Sequence, residues 1–256
     1  LRANSRIRST QIGLAASIGL DHLPTRPHPR VVILSAGPDL VEPGQSLKAD
    51  EEFETNSWLL TTAVREVGAI GYRVHSIPDD EEELLAVIED QLVRADLIVI
   101  SGERNDDSFD LITRTLQKMG EITTLDLAIE NSGRHNFGQI GPDKTPVVTL
   151  PGDPINAYIS FELFVRPMIR TMLGVATIHR PSVKAKLEKA ISSTPGTRSY
   201  VRAILSEDAT SVRALEIQDE ISTLSDANSF IALSEKDETI EAGASVNVVV
   251  LERRYI

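Results

Sequence analysis

The sequence predicts an α/β protein in two parts: a three-layer α/β/α domain around a mostly parallel sheet, then a small all-β barrel domain. Three observations carry that expectation. Residues 30–36 (RVVILSA) and 96–101 (DLIVIS) are near-continuous apolar runs, the pattern of parallel strands buried on both faces. Segments with apolar residues at helical spacing lie between such runs, and alternating β and α units favour a parallel sheet with helices on both sides. Beyond Gly174 the helical spacing gives way to short β runs divided by turn residues, as in small barrels and sandwiches.

Residues 1–29 read as the end of another region and a linker. Ser9 and Thr10 are placed to cap a short helix through Ser17, and Pro24, Pro27 and Pro29 favour an extended approach. The chain opens on Leu1 without a secretory pattern, so it is expected to begin inside a longer protein. The first strand, at 30–36, leads into a turn-rich stretch with Pro38 and Pro43. Thr55 or Asn56 can cap a helix over 56–67, where Leu59, Leu60, Ala63, Val64 and Val67 share one face and Gly68 closes the end. A strand follows at 72–77, and Asp79 and Asp80 start a helix over 81–94. Acids in its first turn complement the helix dipole, so they read as a solvated helix start.

The strand ending at Ser101 is followed by an amphipathic segment at 109–119, a strand at 122–127 and a hairpin at 136–150 that turns at 141–144. A helix over 154–173 should kink at Pro167, with Phe161, Phe164, Met168 and Met172 as core residues. The domain division expected is 30–175 for the α/β part and 176–256 for the β part. Its β runs lie at 183–191, 200–205, 212–217, 230–233 and 246–251.

Composition excludes several classes of function. With 256 residues, 41% of them hydrophobic and 25% charged, the chain can bury a sizeable core. No apolar run reaches the ~20 residues a membrane helix needs. A net charge of −12 opposes binding to nucleic acid or to an anionic membrane face. The absence of cysteine rules out disulfides and thiolate metal sites and fits a cytoplasmic protein. The five histidines show no metal-ligand spacing, and neither a P-loop nor a G-x-S-x-G elbow is present.

Ligands of open α/β sheets collect outside the carboxyl ends of the strands, which directs attention to the loop at 102–108. An oxyanion pocket wants free backbone N–H groups and a cation. This loop offers Glu103, Asp106 and Asp107, with Arg104 as its cation. Like charges ~4 Å apart repel by about 4 kcal/mol at an effective dielectric near 20, so the loop favours a cation, a basic partner or no ligand. Asp106, Asp107 and Asp110 are candidate oxygen ligands for Mg²⁺ or Ca²⁺, although a solvated acidic loop is the simpler reading. Ser108 has no evident base and is not proposed as a nucleophile.

Four stretches together carry a resemblance: VVILSAGPDLVEPGQ at 31–45, FETNSWLL at 53–60, ISGERNDDSFD at 100–110 and LPGDPINAYISFELFVRPMI at 150–169. With the later β domain they resemble the molybdopterin molybdenumtransferase family, which includes the E domain of gephyrin. The resemblance implies a homodimer whose relatives insert molybdenum from molybdate into adenylated molybdopterin with Mg²⁺.

Position by position, the resemblance implies an altered site. The family's TGDEL turn reads Ala36-Gly37-Pro38-Asp39-Leu40, and its D-S/T-N reads Glu54-Thr55-Asn56. In the stretch corresponding to SGGVSVGDYD, Ser101, Gly102 and Asp110 are retained, whereas Glu103 and Asp107 stand for glycines and Ser108 for the aspartate. The MKPGKP loop reads Ile129-Glu130-Asn131-Ser132-Gly133-Arg134, with Glu130 and Gly133 at the two lysine positions and Arg134 one residue beyond. Lysines there would neutralise oxyanions, and a glutamate reverses the sign. Pro151, Gly152 and Asp153 match the family's LPGNP apart from Asp153, which suits either anion binding at a helix N-terminus or a plain N-cap.

The resulting expectation is a dimeric, non-catalytic scaffold that binds a peptide tail of another protein. Gephyrin-like bacterial relatives point to a tubulin-like cell-division protein as that partner. No resident cofactor is expected. The alternative left open is a working molybdenum insertase that uses Glu54, Asp110 and Arg134, with Ser101, Gly102, Pro151, Gly152 and Asp153 around Mg²⁺ and adenylated molybdopterin.

Overall fold

The computed structural model describes residues 2–3, 5–37, 39–77, 80–102, 106–215 and 220–251. In chain order the first half comprises α1 (Ser9–Ser17), β1 (Arg30–Ala36), β2 (Leu40–Val41), β3 (Glu52–Phe53), α2 (Asn56–Val67), β4 (Ile70–Ile77), α3 (Glu81–Leu92), β5 (Leu97–Ser101), α4 (Asp106–Met119), β6 (Gly120–Asp126), β7 (Arg134–Ile140) and β8 (Thr145–Leu150). Helix α5 (Pro154–Ser160), a π-helical turn (Phe161–Val165) and α6 (Arg166–Met172) follow.

Six strands form one sheet in the order β4-β1-β5-β8-β7-β6. Pairing is parallel from β4 through β8 and antiparallel at β7 and β6. Alternate side chains of a strand point to opposite faces, so an unbroken apolar run needs cover on both. Val31 and Ile33 pack with Leu97, Val99, Leu60, Val64 and Phe161 on the face of α2, α5 and α6. Val32 and Leu34 pack with Ile98, Ile100, Leu84, Ile88, Ile112 and Leu116 on the face of α3 and α4. Full burial of each such side chain is worth about 1.5–3 kcal/mol. The three layers are those anticipated from 30–36 and 96–101.

Local signals set the helix ends, with some shifts. Gly68 closes α2 at φ 105°, a left-handed conformation that glycine adopts without a side-chain penalty. Asp80 caps α3 through its carboxylate, which accepts from the Glu83 N–H at 2.8 Å. At α1 the cap is Arg8, not Ser9 or Thr10, and the Gln11 side chain accepts from the Arg8 N–H at 3.2 Å. The kink expected at Pro167 takes the form of the preceding π-helical turn, which leaves proline in the first turn of α6.

The second half holds β9 (Ser182–Leu187), β10 (Ile191–Ser192), β11 (Ser199–Leu205), β12 (Ser211–Ala214), α7 (Glu220–Asp226), β13 (Ser229–Leu233), β14 (Thr239–Ile240) and β15 (Ser245–Val250). Five of these strands close a barrel in the order β11-β12-β9-β15-β13 around Leu187, Val212, Ile231 and Val248. Helix α7 is an addition to the sequence reading. Ile155, Ile159, Leu224 and Phe230 form a further apolar cluster that joins α5 to α7 and the barrel. Among the described residues no helix is long and apolar enough to cross a membrane.

His135 on β7 is fully buried, with Nδ1 2.9 Å from the Thr149 carbonyl and Nε2 2.7 Å from the Ser132 hydroxyl. A carbonyl only accepts, so Nδ1 carries the proton and Nε2 accepts from Ser132. Burial holds the imidazole pKa below its ordinary value, against the smaller opposing effect of the Thr149 carbonyl. The unfolded chain therefore binds the proton first as pH falls. Stability is complete above the ordinary histidine range and declines below about pH 6.5, by at most about 1.4 kcal/mol per pH unit from this group. Urea denaturation at pH 7.5 and 5.5 should show that loss, and His135→Asn should flatten it. An unchanged slope in the variant would assign the acid sensitivity elsewhere.

Candidate functional site

The carboxyl edge of the sheet is tied together by one side chain. Asn56, the first residue of α2, donates from Nδ2 to Ser101 Oγ at 2.8 Å and to the Gly152 carbonyl at 2.6 Å. Ser101 Oγ donates in turn to the Pro151 carbonyl at 3.1 Å. The end of β5, the loop after β8 and the start of α2 thus share one buried polar knot. Asn56 Oδ1 is buried without a hydrogen-bond partner among the described residues. Asp153 caps the seven-residue α5, its Oδ1 accepting from the Asn156 N–H at 3.0 Å and from Asn156 Nδ2 at 2.8 Å. Of the two readings of Asp153, the geometry shows the N-cap.

Glu54 is buried, 1% exposed, just before α2. Its carboxylate accepts from the Ser57 N–H at 2.7 Å and the Ser57 hydroxyl at 2.5 Å, so it caps α2 in place of Thr55. Arg73 reaches the same carboxylate at 3.4 Å and holds Glu42 at 2.7 and 3.2 Å. The Arg73 guanidinium also lies 4.0 Å from the centroid of the Trp58 ring. This cluster fastens the 42–54 segment to α2.

Beside the knot opens a cavity of about 470 Å³. Asp39, Asp50, Glu52 and Glu54 contribute its acids, Leu40, Phe53, Ile155 and Ile221 its apolar walls, and Gly102 and Gly152 its floor at the strand ends. Among the described residues that line it there is no lysine or arginine. A low-dielectric wall carrying one sign of charge selects ligands of the other sign.

The sequence-derived candidates divide between this cavity and other places. Glu54, Gly102 and Gly152 line it, and Ser101 and Pro151 stand behind it in the knot. Asp110 pairs with Arg134 at 3.0 Å on the surface, where Arg134 also covers the Phe109 ring at 4.4 Å. Ser108 is buried within α4, and Asp107 is exposed. Glu130 accepts from Thr194 Oγ1 at 2.9 Å, and its N–H donates to the Arg198 carbonyl at 3.0 Å, which turns it toward the barrel. Gly133 sits at φ 63°, a left-handed position that a lysine would strain. Pro38, Glu103, Arg104 and the Asp106 side chain lie outside the described residues. Among the described residues no three acids or histidines gather as a metal site. Asp50, Glu52 and Ser222 were missed: the first two lie between motifs, and Ser222 arrives from the distant α7.

A doubly covered, mostly parallel sheet with a cavity at its carboxyl edge, followed by a closed barrel, defines a two-part protein of an α/β layer and a β barrel. Comparison with known families narrows this. Residues 33–171 match the family described as probable molybdopterin binding domain, and residues 184–251 match the MoeA C-terminal region (domain IV). Molybdopterin molybdenumtransferase 1 of Mycobacterium tuberculosis is 31% identical over 260 residues, covering 98% of this chain and 61% of the relative. The Bacillus subtilis molybdopterin molybdenumtransferase is 24% identical, covering 98% and 59%. The crystal structure of the molybdopterin biosynthesis MoeA protein of Pyrococcus horikosii superposes with a TM-score of 0.85 at 26% identity, over 98% of this chain and 62% of that one. The chain belongs to the MoeA-like molybdopterin molybdenumtransferase family. It spans about three fifths of the length of these relatives.

Glu54→Ala removes the cap of α2 and one carboxylate of the Arg73 cluster. Loss of a buried, paired acid of this kind costs about 2–4 kcal/mol, whereas Asp110→Ala, on an exposed ion pair, should cost less than about 1 kcal/mol. Urea denaturation of both variants measures the contrast; equal costs would show that Glu54 is not a structural anchor.

Proposed function

We propose that this family member is a dimeric, non-catalytic scaffold whose carboxyl-edge cavity receives a peptide tail from a partner protein. The observation that carries the reading is the charge of the cavity: four acids and, among the described lining residues, no cation. Molybdate and the phosphates of adenylated molybdopterin are anions, and the described lining does not fit them. The cavity suits a tail bearing lysine or arginine, with Phe53 and Ile221 to cover its aliphatic stem.

Arg134, the nearest substitute for the family's second lysine, is held by Asp110 and the Phe109 ring. Glu130 is used in the contact with the barrel. Ile12, Leu14, Ile18 and Leu20 on and beside α1 are between 47% and 66% exposed. An apolar surface of that size supports a further protein surface against it, here a second copy of the chain. The resemblance to gephyrin makes the tail of a tubulin-like division protein the first partner to test. The working insertase is the second reading, favoured by the intact knot of Asn56, Ser101 and Gly152.

Two measurements separate the readings. Molybdate with adenylated molybdopterin and Mg²⁺ should yield no molybdenum cofactor, while a basic tail peptide should quench or shift the fluorescence of Trp58, the one tryptophan of the chain. Peptide affinity should fall about tenfold in Glu52→Lys, by reversal of one charge in the wall. Cofactor formation that is lost in Asp110→Ala would establish the enzyme and overturn the scaffold.

A further inference from the structure

A second cavity, of about 590 Å³, lies between α2, the α5–α6 helix and α7. It has the opposite charge. Arg166, Arg170 and Arg180 line it, with Glu66 at its exposed rim, and Leu59, Leu224 and Leu251 supply apolar wall. In a chain of net charge −12, three guanidinium groups at one junction need an account.

Glu162 satisfies one of them. Arg180 donates from Nε and Nη2 to the two Glu162 oxygens at 2.8 and 2.7 Å and from Nη1 to the Leu251 carbonyl at 2.6 Å. That bidentate arrangement uses both carboxylate oxygens and most of the arginine fork. Arg166 approaches Glu162 only through its buried Nε, at 3.5 Å, which makes no hydrogen bond among the described residues although the side chain is 10% exposed. Arg170, one turn further along α6, donates from Nε to the Thr177 carbonyl at 2.5 Å and has no ion pair among the described residues. Residues four apart share a helix face, so Arg166 and Arg170 present their charges together.

A buried guanidinium nitrogen that makes no hydrogen bond is costly even beside an ion-pair partner, and the protein accepts that cost here beside a cavity large enough for a ligand. Burial and the like charge of Arg180 both lower the pKa values of Arg166 and Arg170. An anion in the cavity would oppose the second effect and could satisfy Arg166 Nε. A purely structural cluster would be expected to close around Glu162, whereas this one leaves open volume beside all three cations.

We propose that this junction cavity binds a small molecule carrying an oxyanion group, which the arginines hold while its apolar portion lies against Leu59, Leu224 and Leu251. Planar guanidinium groups suit phosphate and carboxylate alike, in two-point contact. The site is separate from the acidic cavity and does not depend on the scaffold reading.

The test is calorimetric titration of the full chain with inorganic phosphate, phenyl phosphate and benzoate at constant ionic strength, with sodium chloride as the blank. One of the three should bind saturably at one site per chain and raise the melting temperature. Phenyl phosphate above inorganic phosphate assigns a role to the apolar wall, and phenyl phosphate against benzoate distinguishes phosphate from carboxylate. Arg170→Gln, at a half-buried position, should weaken binding about tenfold or more, the worth of one charge-assisted hydrogen bond. Arg170→Lys should recover part of it. Arg166→Gln serves as the second variant, with circular dichroism confirming its fold. No saturable binding by any of the three anions, or undiminished binding by the folded variants, overturns the proposal.

Discussion

The amide of Asn56 is the constraint on which the carboxyl edge of the sheet depends. Its two donors connect the start of α2 to a strand end 45 residues away and to a loop 96 residues away. Parallel strands bring such distant segments side by side only through crossover helices, and the apolar runs of β1 and β5 fix the register of those crossovers. Sheet burial therefore comes first, and the polar knot then decides how the three segments end. The unpartnered Oδ1 is the cost of using both donors in one direction. Buried polar groups left without partners are uncommon in folded chains, and this one stands at the edge of the acidic cavity.

Charge in this molecule is sorted by depth and by neighbour. Two arginines are held by acids and rings: Arg73 by Glu42, Glu54 and Trp58, and Arg134 by Asp110 and Phe109. Each pairing also places an aromatic ring on the guanidinium, which holds the cation where it is by more than charge alone. Among the described residues, the charged side chains lining the acidic cavity are acids. The junction cavity is the inverse case, lined by three arginines, where one buried glutamate meets two of them and forms its close hydrogen bonds with only one. Two cavities of opposite sign thus coexist in a chain whose net charge would suggest a uniformly acidic surface.

Much of the fold was legible in the sequence because burial on both faces leaves a plain mark. The runs at 30–36 and 96–101, the helix spacing after Asn56 and the hairpin turn at 141–144 each correspond to an observed element. Less legible were features decided by tertiary contact. The sequence places Pro167 inside a helix, but only the packed helix shows that a π-helical turn absorbs it. Residues 220–226, ending in Ser-Asp, carry no periodicity strong enough to announce α7. Gly102 of the loop after β5, and Gly152 and Glu54 named from the resemblance, line the acidic cavity, while Ser222 arrives from the far half of the chain without a local signal. Glu54 shows the opposite limit: its position was found, but its part as a helix cap appears only in the bonds it makes.

Helix α7 makes the barrel a participant in both cavities. Ile221 lines the acidic one and the arginine-lined one, and Leu224 packs against Ile155 and Phe230 in the apolar cluster that joins the two halves. Arg202 of β11 holds α7 from below through Thr223, at 2.6 Å. Removing the barrel would expose Ile155 and Ile159 together, at about 1.5–3 kcal/mol for each fully buried side chain, and would leave both cavities open on one side. The chemistry presented at the sheet edge is therefore a joint property of the α/β layer and the barrel. A substitution that loosens the α5–α7 contact should disturb both sites at once, although it touches the charged residues of neither.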